Sequence, residues 1–171
     1  YWVIMLIKSL FTFDIGQTIT PLDGRNRHKL NKLSEIFSDF VLSKFRVELE
    51  LKYIKYLIQY AVIRKISAQE NVIIEKLISS FNFDSYKRIR EIEKIVNHEA
   101  KAAEEFVKES LQKTTLKDIS EMVHFGLTSD DINNLAYALM IKSTLNNVIN
   151  PEINDILSKI ALLRSQAPYI P

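Results

Sequence analysis

Cysteine is absent from the 171 residues, so neither a disulfide framework nor a thiolate metal site can form. The three histidines, His28, His98 and His124, lie too far apart to show ligand spacing, and no metal is expected. Glycine numbers 3 and proline 4, where average usage is about 7% and about 5%. The turns of a sandwich, a barrel or a multi-stranded α/β sheet are therefore mostly missing, and the expected fold class is all-α. Gly16, Gly24 and Gly126 are isolated, whereas a phosphate-cradling loop needs several glycines within a few residues. A bound nucleotide would have to be held by side chains and helix ends. An excess of one charge is lacking too: Lys+Arg 23 against Asp+Glu 21 leaves a net +2 with no long basic stripe, so nucleic acid is not an expected partner.

Long apolar runs are equally scarce. The longest, from Trp2 to Phe13, is interrupted by Lys8, Ser9 and Thr12 and falls short of the roughly 20 residues a membrane span needs. It has no basic segment before it and no small-x-small cleavage site after it, so neither a membrane partner nor a signal peptide is expected. Met5 inside this run is the expected natural start. The other end stops at Ala167-Pro168-Tyr169-Ile170-Pro171, directly after a helical stretch, and the chain reads as a fragment.

What remains is ordinary globular composition, 47% hydrophobic and 26% charged. From Leu33 onward Ile36, Phe37, Phe40, Val41, Phe45, Val47, Leu51, Ile54 and Ile58 recur mostly at spacings of three and four, which predicts one amphipathic helix. Lys44, Glu48, Lys52 and Lys55 occupy its opposite face, with i to i+4 pairs that a solvated surface explains. A second helix is predicted from Ala68 to about Ser80 behind a Ser67 cap, with Asn82 and Asp84 marking a break. A third, from about Ser85 to Val96, is interrupted at Asn97 and His98 before helix resumes around Ala100. Thr114, Thr115 and Asp118 form a loop and a new start, and Phe125-Gly126-Leu127 is the next breaker. Beyond it Ile132, Leu135, Leu139, Leu145, Ile149, Ile153, Ile156, Ile160 and Leu163 keep near-heptad spacing, with Pro151 as the one expected kink. Such a helix, far above the mean of about 11 to 12 residues, predicts a bundle shared between subunits.

Three constellations could carry chemistry. Thr20-Pro21-Leu22-Asp23-Gly24-Arg25 is by itself a turn, although a planar guanidinium such as Arg25 can clamp a phosphate or carboxylate through two parallel hydrogen bonds. Asn97-His98-Glu99 sits at a helix interruption, where a lone histidine is more often a surface or satisfied core residue. His124 through Asp131 places Thr128 and Ser129 ahead of a long helix, with two acids in its first turn. As structure that is a capped helix start; as function it is a site for a ligand carboxylate or phosphate.

Taken in order, Pro21-x-Asp23-Gly24-Arg25, Lys44-Phe45-Arg46-Val47-x-x-Glu50, Asn97-His98-Glu99-x-Lys101-Ala102 and His124-Phe125-x-x-Thr128-Ser129-x-Asp131-Ile132-Asn133-Asn134 resemble the amino-terminal part of the adenylosuccinate lyase family. The resemblance runs from about residue 18 to 171, and its last motif is close to a signature of the fumarase and aspartase superfamily. It implies an amino-terminal helical domain over 1–120 and the truncated start of a central helix bundle over 121–171. It also implies a cytoplasmic homotetramer and a small nucleotide substrate. The implied reaction is β-elimination of fumarate from adenylosuccinate, giving AMP, and from the succinyl-aminoimidazole carboxamide ribotide of purine synthesis. No cofactor is implied.

By matched position Arg25 would bind the substrate phosphate, with Asn26 standing where the family has a tyrosine. Asn97, His98 and Glu99 would face the substrate, with Glu99 in place of the family's aspartate, and Thr128 and Ser129 would hold a carboxylate of the succinyl group. His124 would support that loop. The family's general-acid histidine and base serine fall beyond Pro171, so no catalytic acid or base is expected in this chain, which alone should be inactive. The competing expectation is a degenerate, non-catalytic helical remnant or interaction module.

Overall fold

The computed structural model describes residues 20, 22 and 24–167. The apolar run from Trp2 to Phe13, Pro21, Asp23 and the end from Pro168 lie outside the described residues. The chain divides into two units, one ending at Glu35 and one beginning at Ile36. In the first, a turn closed by Gly24 N–H to the Thr20 carbonyl leads into a 3-10 turn at Arg27–Lys29 and the single helical turn α1, Asn31–Ser34.

Every regular element among the described residues of the second unit is helical. Its first helix, α2, spans Asp39–Gln59, so the single helix predicted from Leu33 is interrupted over Glu35–Ser38. The reason is local: Ser38 takes an extended backbone and Asp39 supplies the first-turn acid. A Ser-Asp start favours beginning a helix there, whatever the apolar spacing before it. At its far end α2 closes in a left-handed cap, with Ala61 at φ 56. Val62 N–H donates to the Leu57 carbonyl and Ala61 N–H to that of Ile58, the paired bonds of a Schellman motif.

The next helices follow their caps closely. Helix α3, Ala68–Ser79, opens with a reciprocal capping box in which Ser67 Oγ accepts from Glu70 N–H and the Glu70 carboxylate accepts from Ser67 N–H. Helix α4, Phe83–Val96, starts at Asn82, whose side-chain oxygen accepts from Asp84 and Ser85 N–H. The break expected at Asn82 and Asp84 is thus a cap, with Asp84 already inside the helix. Asn97 ends α4 in the left-handed conformation at φ 53, and His98 immediately caps α5, Glu99–Gln112. A 3-10 segment at Lys117–Met122 follows.

The core lies between α2, α3, α4 and α5. Leu51, Ile54, Ile74, Ile89, Val107 and Leu111 are all 2% exposed or less. Ala102 and Ala103 of α5 are buried in the same cluster, where their small side chains leave room for the larger ones. A second cluster joins Val41 and Leu42 of α2 to Ala136 and Met140 of α6, Ser129–Thr144. Helix α6 continues through a π-helical turn, Leu145–Ile149, into α7, Asn150–Gln166. Pro151 enters as the second residue of α7. Proline donates no N–H and its ring presses on the carbonyl four residues earlier, and the wider π turn just before it opens the ladder where that pressure falls.

No residue of α7 is buried. Ile156, Ile160 and Leu163 are 55%, 56% and 64% exposed, although none of the described helices is long and apolar enough to cross a membrane.

The Ala61 cap gives a direct test of the local reading. An alanine in the left-handed region carries a steric cost that glycine avoids, so Ala61→Gly should raise stability by about 0.5–1 kcal/mol. Chemical denaturation measures it, and a loss of stability would contradict the cap assignment.

Candidate functional site

One face of α2 carries the polar groups that organise the rest. Arg46, Glu50 and Tyr53 follow at spacings of four and three, so they stack along one side of the helix. Arg46 is 3% exposed and Glu50 1%. Buried charges must find partners, and those partners come from distant parts of the chain. The Arg46 guanidinium donates through Nε to Asn133 Oδ1 and through Nη2 to Glu99 Oε2, both at 2.9 Å. Glu50 Oε1 pairs with His124 Nδ1 at 2.5 Å, and the Tyr53 hydroxyl donates to the Phe125 carbonyl at 3.0 Å.

These contacts set the loop that enters α6. His124 sits at φ 64 and Gly126 at φ 72, a double left-handed turn that bare sterics would resist at the histidine. The Glu50 and Tyr53 bonds fix that turn from the α2 side. The chain then reaches Thr128, whose N–H and hydroxyl both donate to Asp131 Oδ2 at 2.8 and 3.0 Å. Those two bonds, the backbone one foremost, hold the Asp131 carboxyl below its ordinary range.

The starts of α5 and α6 meet here. His98 Nε2 lies 3.4 Å from Ser129 Oγ, while His98 Nδ1 accepts from Lys101 N–H at 3.3 Å. A ring nitrogen that accepts from an amide carries no proton, so in the neutral imidazole the proton is on Nε2 and points to Ser129 Oγ. The Ser129 hydroxyl hydrogen is then directed elsewhere, towards any acceptor at the helix start. An imidazole N–H, a hydroxyl and the positive end of α6 at one place suit a carboxylate or phosphate.

The expected site residues thus fall into two groups. Asn97, His98 and Glu99 stand at the α4–α5 junction, and His98 and Ser129 are brought within contact distance. Asn97 occupies a left-handed position that asparagine tolerates well, and it is exposed. Thr128 has its hydroxyl directed at Asp131. Arg25 and Asn26 belong to the unit ending at Glu35, where Arg25 is exposed on a turn and Asn26 precedes the 3-10 segment. His124 is a loop support held by Glu50.

Arg46, Glu50 and Asn133 were given no role by the sequence reading. The signal for the first two was faint: Arg46 and Glu50 repeat the spacing of Val47 and Leu51 one position, about 100° of helix, to one side of that row, as Glu48 and Lys52 do on the other. What sets them apart is burial, and a buried charge is either paired or functional.

A family model described as Lyase matches residues 24–170. The adenylosuccinate lyase of Haemophilus influenzae is 40% identical over 157 residues, covering 90% of this chain and 34% of that protein. That of Legionella pneumophila (strain Corby) is 41% identical over 152 residues, 86% of this chain and 33% of the relative. That of Escherichia coli K12 is 36% identical over 157 residues, with 90% and 34% covered. The chain spans about a third of the length of the curated relatives it matches.

The Glu50–His124 pair is open to measurement in the chain itself. Burial pushes the Glu50 carboxyl above its ordinary value of 4.5, against the pull of His124 and with the Glu104 charge adding to the rise. One oxygen, Oε2, is buried without a hydrogen-bond partner. A raised folded-state value means that the folded chain holds this proton more tightly than the unfolded chain. Glu50 therefore favours folding most below pH 4.5 and progressively less as pH rises through the raised value. Glu50→Gln should remove that decline from the stability curve followed by denaturation across the window. Parallel curves for the two proteins would contradict the assignment.

Proposed function

The chain belongs to the lyase family that this model describes, and from that premise we propose that it is the amino-terminal part of an adenylosuccinate lyase. The observation that carries the reading is the identity of 36% to 41% to adenylosuccinate lyases over most of the chain. The juxtaposition of His98 and Ser129 at two helix starts supports it. The reaction is β-elimination of fumarate from adenylosuccinate and from the succinyl-aminoimidazole carboxamide ribotide. A base takes the proton from the carbon beside a carboxylate, the carbon–nitrogen bond breaks with its electron pair passing to nitrogen, and an acid protonates that nitrogen.

In this proposal the described residues bind and orient. Ser129 holds a succinyl carboxylate at the start of α6, where its hydroxyl and the first-turn N–H groups face developing charge, while Thr128, expected to share that carboxylate, has its own hydroxyl and N–H donated to Asp131 and acts by fixing the helix start. His98 orients that group through Nε2, with Asn97 and Glu99 beside it. Arg25 clamps the phosphate, with Asn26 next to it. The acid and the base come from outside these 171 residues, so the chain alone catalyses nothing. No cofactor takes part.

Residues 1–120 then form the amino-terminal helical domain and residues 121–171 the start of the central bundle. The exposed apolar side chains of α6, the π turn and α7, among them Leu135, Ile149, Ile156 and Leu163, support a homo-oligomer, a tetramer in this reading, that buries them. A cytoplasmic location belongs to the same proposal.

The test is release of fumarate by the intact gene product incubated with adenylosuccinate. Catalytic release is the expected outcome. A folded helical oligomer that releases none would leave the non-catalytic remnant as the reading. With activity in hand, Ser129→Ala should lower kcat/KM about 10- to 100-fold, the equivalent of one hydrogen bond to a charged group at about 1.5–3 kcal/mol. Unchanged kinetics would leave Ser129 as the first residue of α6 with no part in binding. Arg25→Ala should raise KM with a smaller effect on kcat, the signature of binding felt equally in ground and transition states. An unchanged KM would remove Arg25 from the site.

A further inference from the structure

Arg46 is the most deeply buried cation among the described residues, and its two bonds go to the flanks of the His98–Ser129 contact. Glu99 is the residue after His98 and the first residue of α5. Asn133 lies four residues after Ser129, one helical turn along the same face of α6. A planar guanidinium presents its donors in a rigid fork. Holding both partners with that fork therefore fixes the start of α5 against the first turns of α6, and with them the separation of His98 and Ser129.

The same geometry bears on Glu99. Its side chain is about half exposed, yet its Oε2 is engaged by Arg46 at 2.9 Å. A shorter acid would fall back by about one carbon–carbon bond, roughly 1.5 Å, which exceeds the tolerance of a hydrogen bond already at 2.9 Å. The length of glutamate thus has a structural reason in the contact with Arg46.

We propose that Arg46 is a positioning residue that sets the His98–Ser129 contact, and that the Glu99 carboxylate serves as its anchor and does not itself touch substrate. The proposal rests on the reading of residues 97–99 and 128–129 as one substrate corner. It departs from the expectation that Glu99 faces the substrate alongside His98.

Two conservative variants, Arg46→Lys and Glu99→Gln, and their combination test it in the intact gene product. If Glu99 acts only through Arg46, Glu99→Gln lowers kcat/KM about 10-fold in the wild-type background and less than about 2-fold on top of Arg46→Lys, because interactions in one chain of contacts are not additive. Equal losses in both backgrounds would mean that Glu99 works independently of Arg46 and would overturn the proposal. Hydrogen exchange at the Lys101 amide, which His98 caps, gives a second reading without substrate. Exchange should quicken at least about 10-fold in both single variants, and wild-type rates in both would equally overturn it. Quickened exchange in both single variants, beside a wild-type gene product that releases no fumarate, would sink the lyase reading and leave the positioning role of Arg46 standing.

Discussion

A guanidinium that is 3% exposed cannot stand unpaired, and the demand of Arg46 for partners ties three helices together. It draws Glu99 at the start of α5 and Asn133 in α6 to one point on α2, across sequence separations of 53 and 87 residues. One turn further along α2, Glu50 meets His124, and Tyr53 reaches the Phe125 carbonyl. This row of side chains performs a task that hydrophobic packing alone does poorly. Burial of Leu51, Ile54 and their neighbours stabilises the cluster without choosing a register, whereas a fork of fixed geometry selects one. The candidate site is a by-product of that selection.

Much of the fold was legible because its helices are bounded by local chemistry. Ser67 followed three residues later by Glu70 announces α3, and Asn97-His98 announces the α4–α5 junction, since both rely on contacts within a turn. The interruption before Asp39 was not legible from periodicity, because Ile36, Phe37 and Phe40 keep helical spacing across it and the deciding signal is a single Ser-Asp pair. The π turn before Pro151 escaped for a different reason. A proline advertises a conflict in the ladder, but the sequence does not say whether the helix bends or widens to resolve it.

The site was legible in its ends and opaque in its middle. His98, Glu99, Thr128 and Ser129 are visible because they stand at helix starts, where polar residues draw attention. Arg46, Glu50 and Asn133 are hidden because their partners are distant in sequence, and spacing alone does not separate Arg46 and Glu50 from the solvated Glu48 and Lys52 on the other side of the apolar row. The same lesson applies to α7, whose apolar face meets nothing among the described residues. Its pattern is complete in the sequence, but periodicity does not say what covers it.

In the proposed function the starts of α5 and α6 form one carboxylate-binding corner. A crystal structure of the intact gene product soaked with fumarate tests it most directly. The expected result is a fumarate carboxylate within hydrogen-bond distance of Ser129 Oγ and His98 Nε2, with Arg46 still bonded to Glu99 and Asn133. Fumarate bound elsewhere, or His98 and Ser129 held apart with the Arg46 bonds intact, would contradict it.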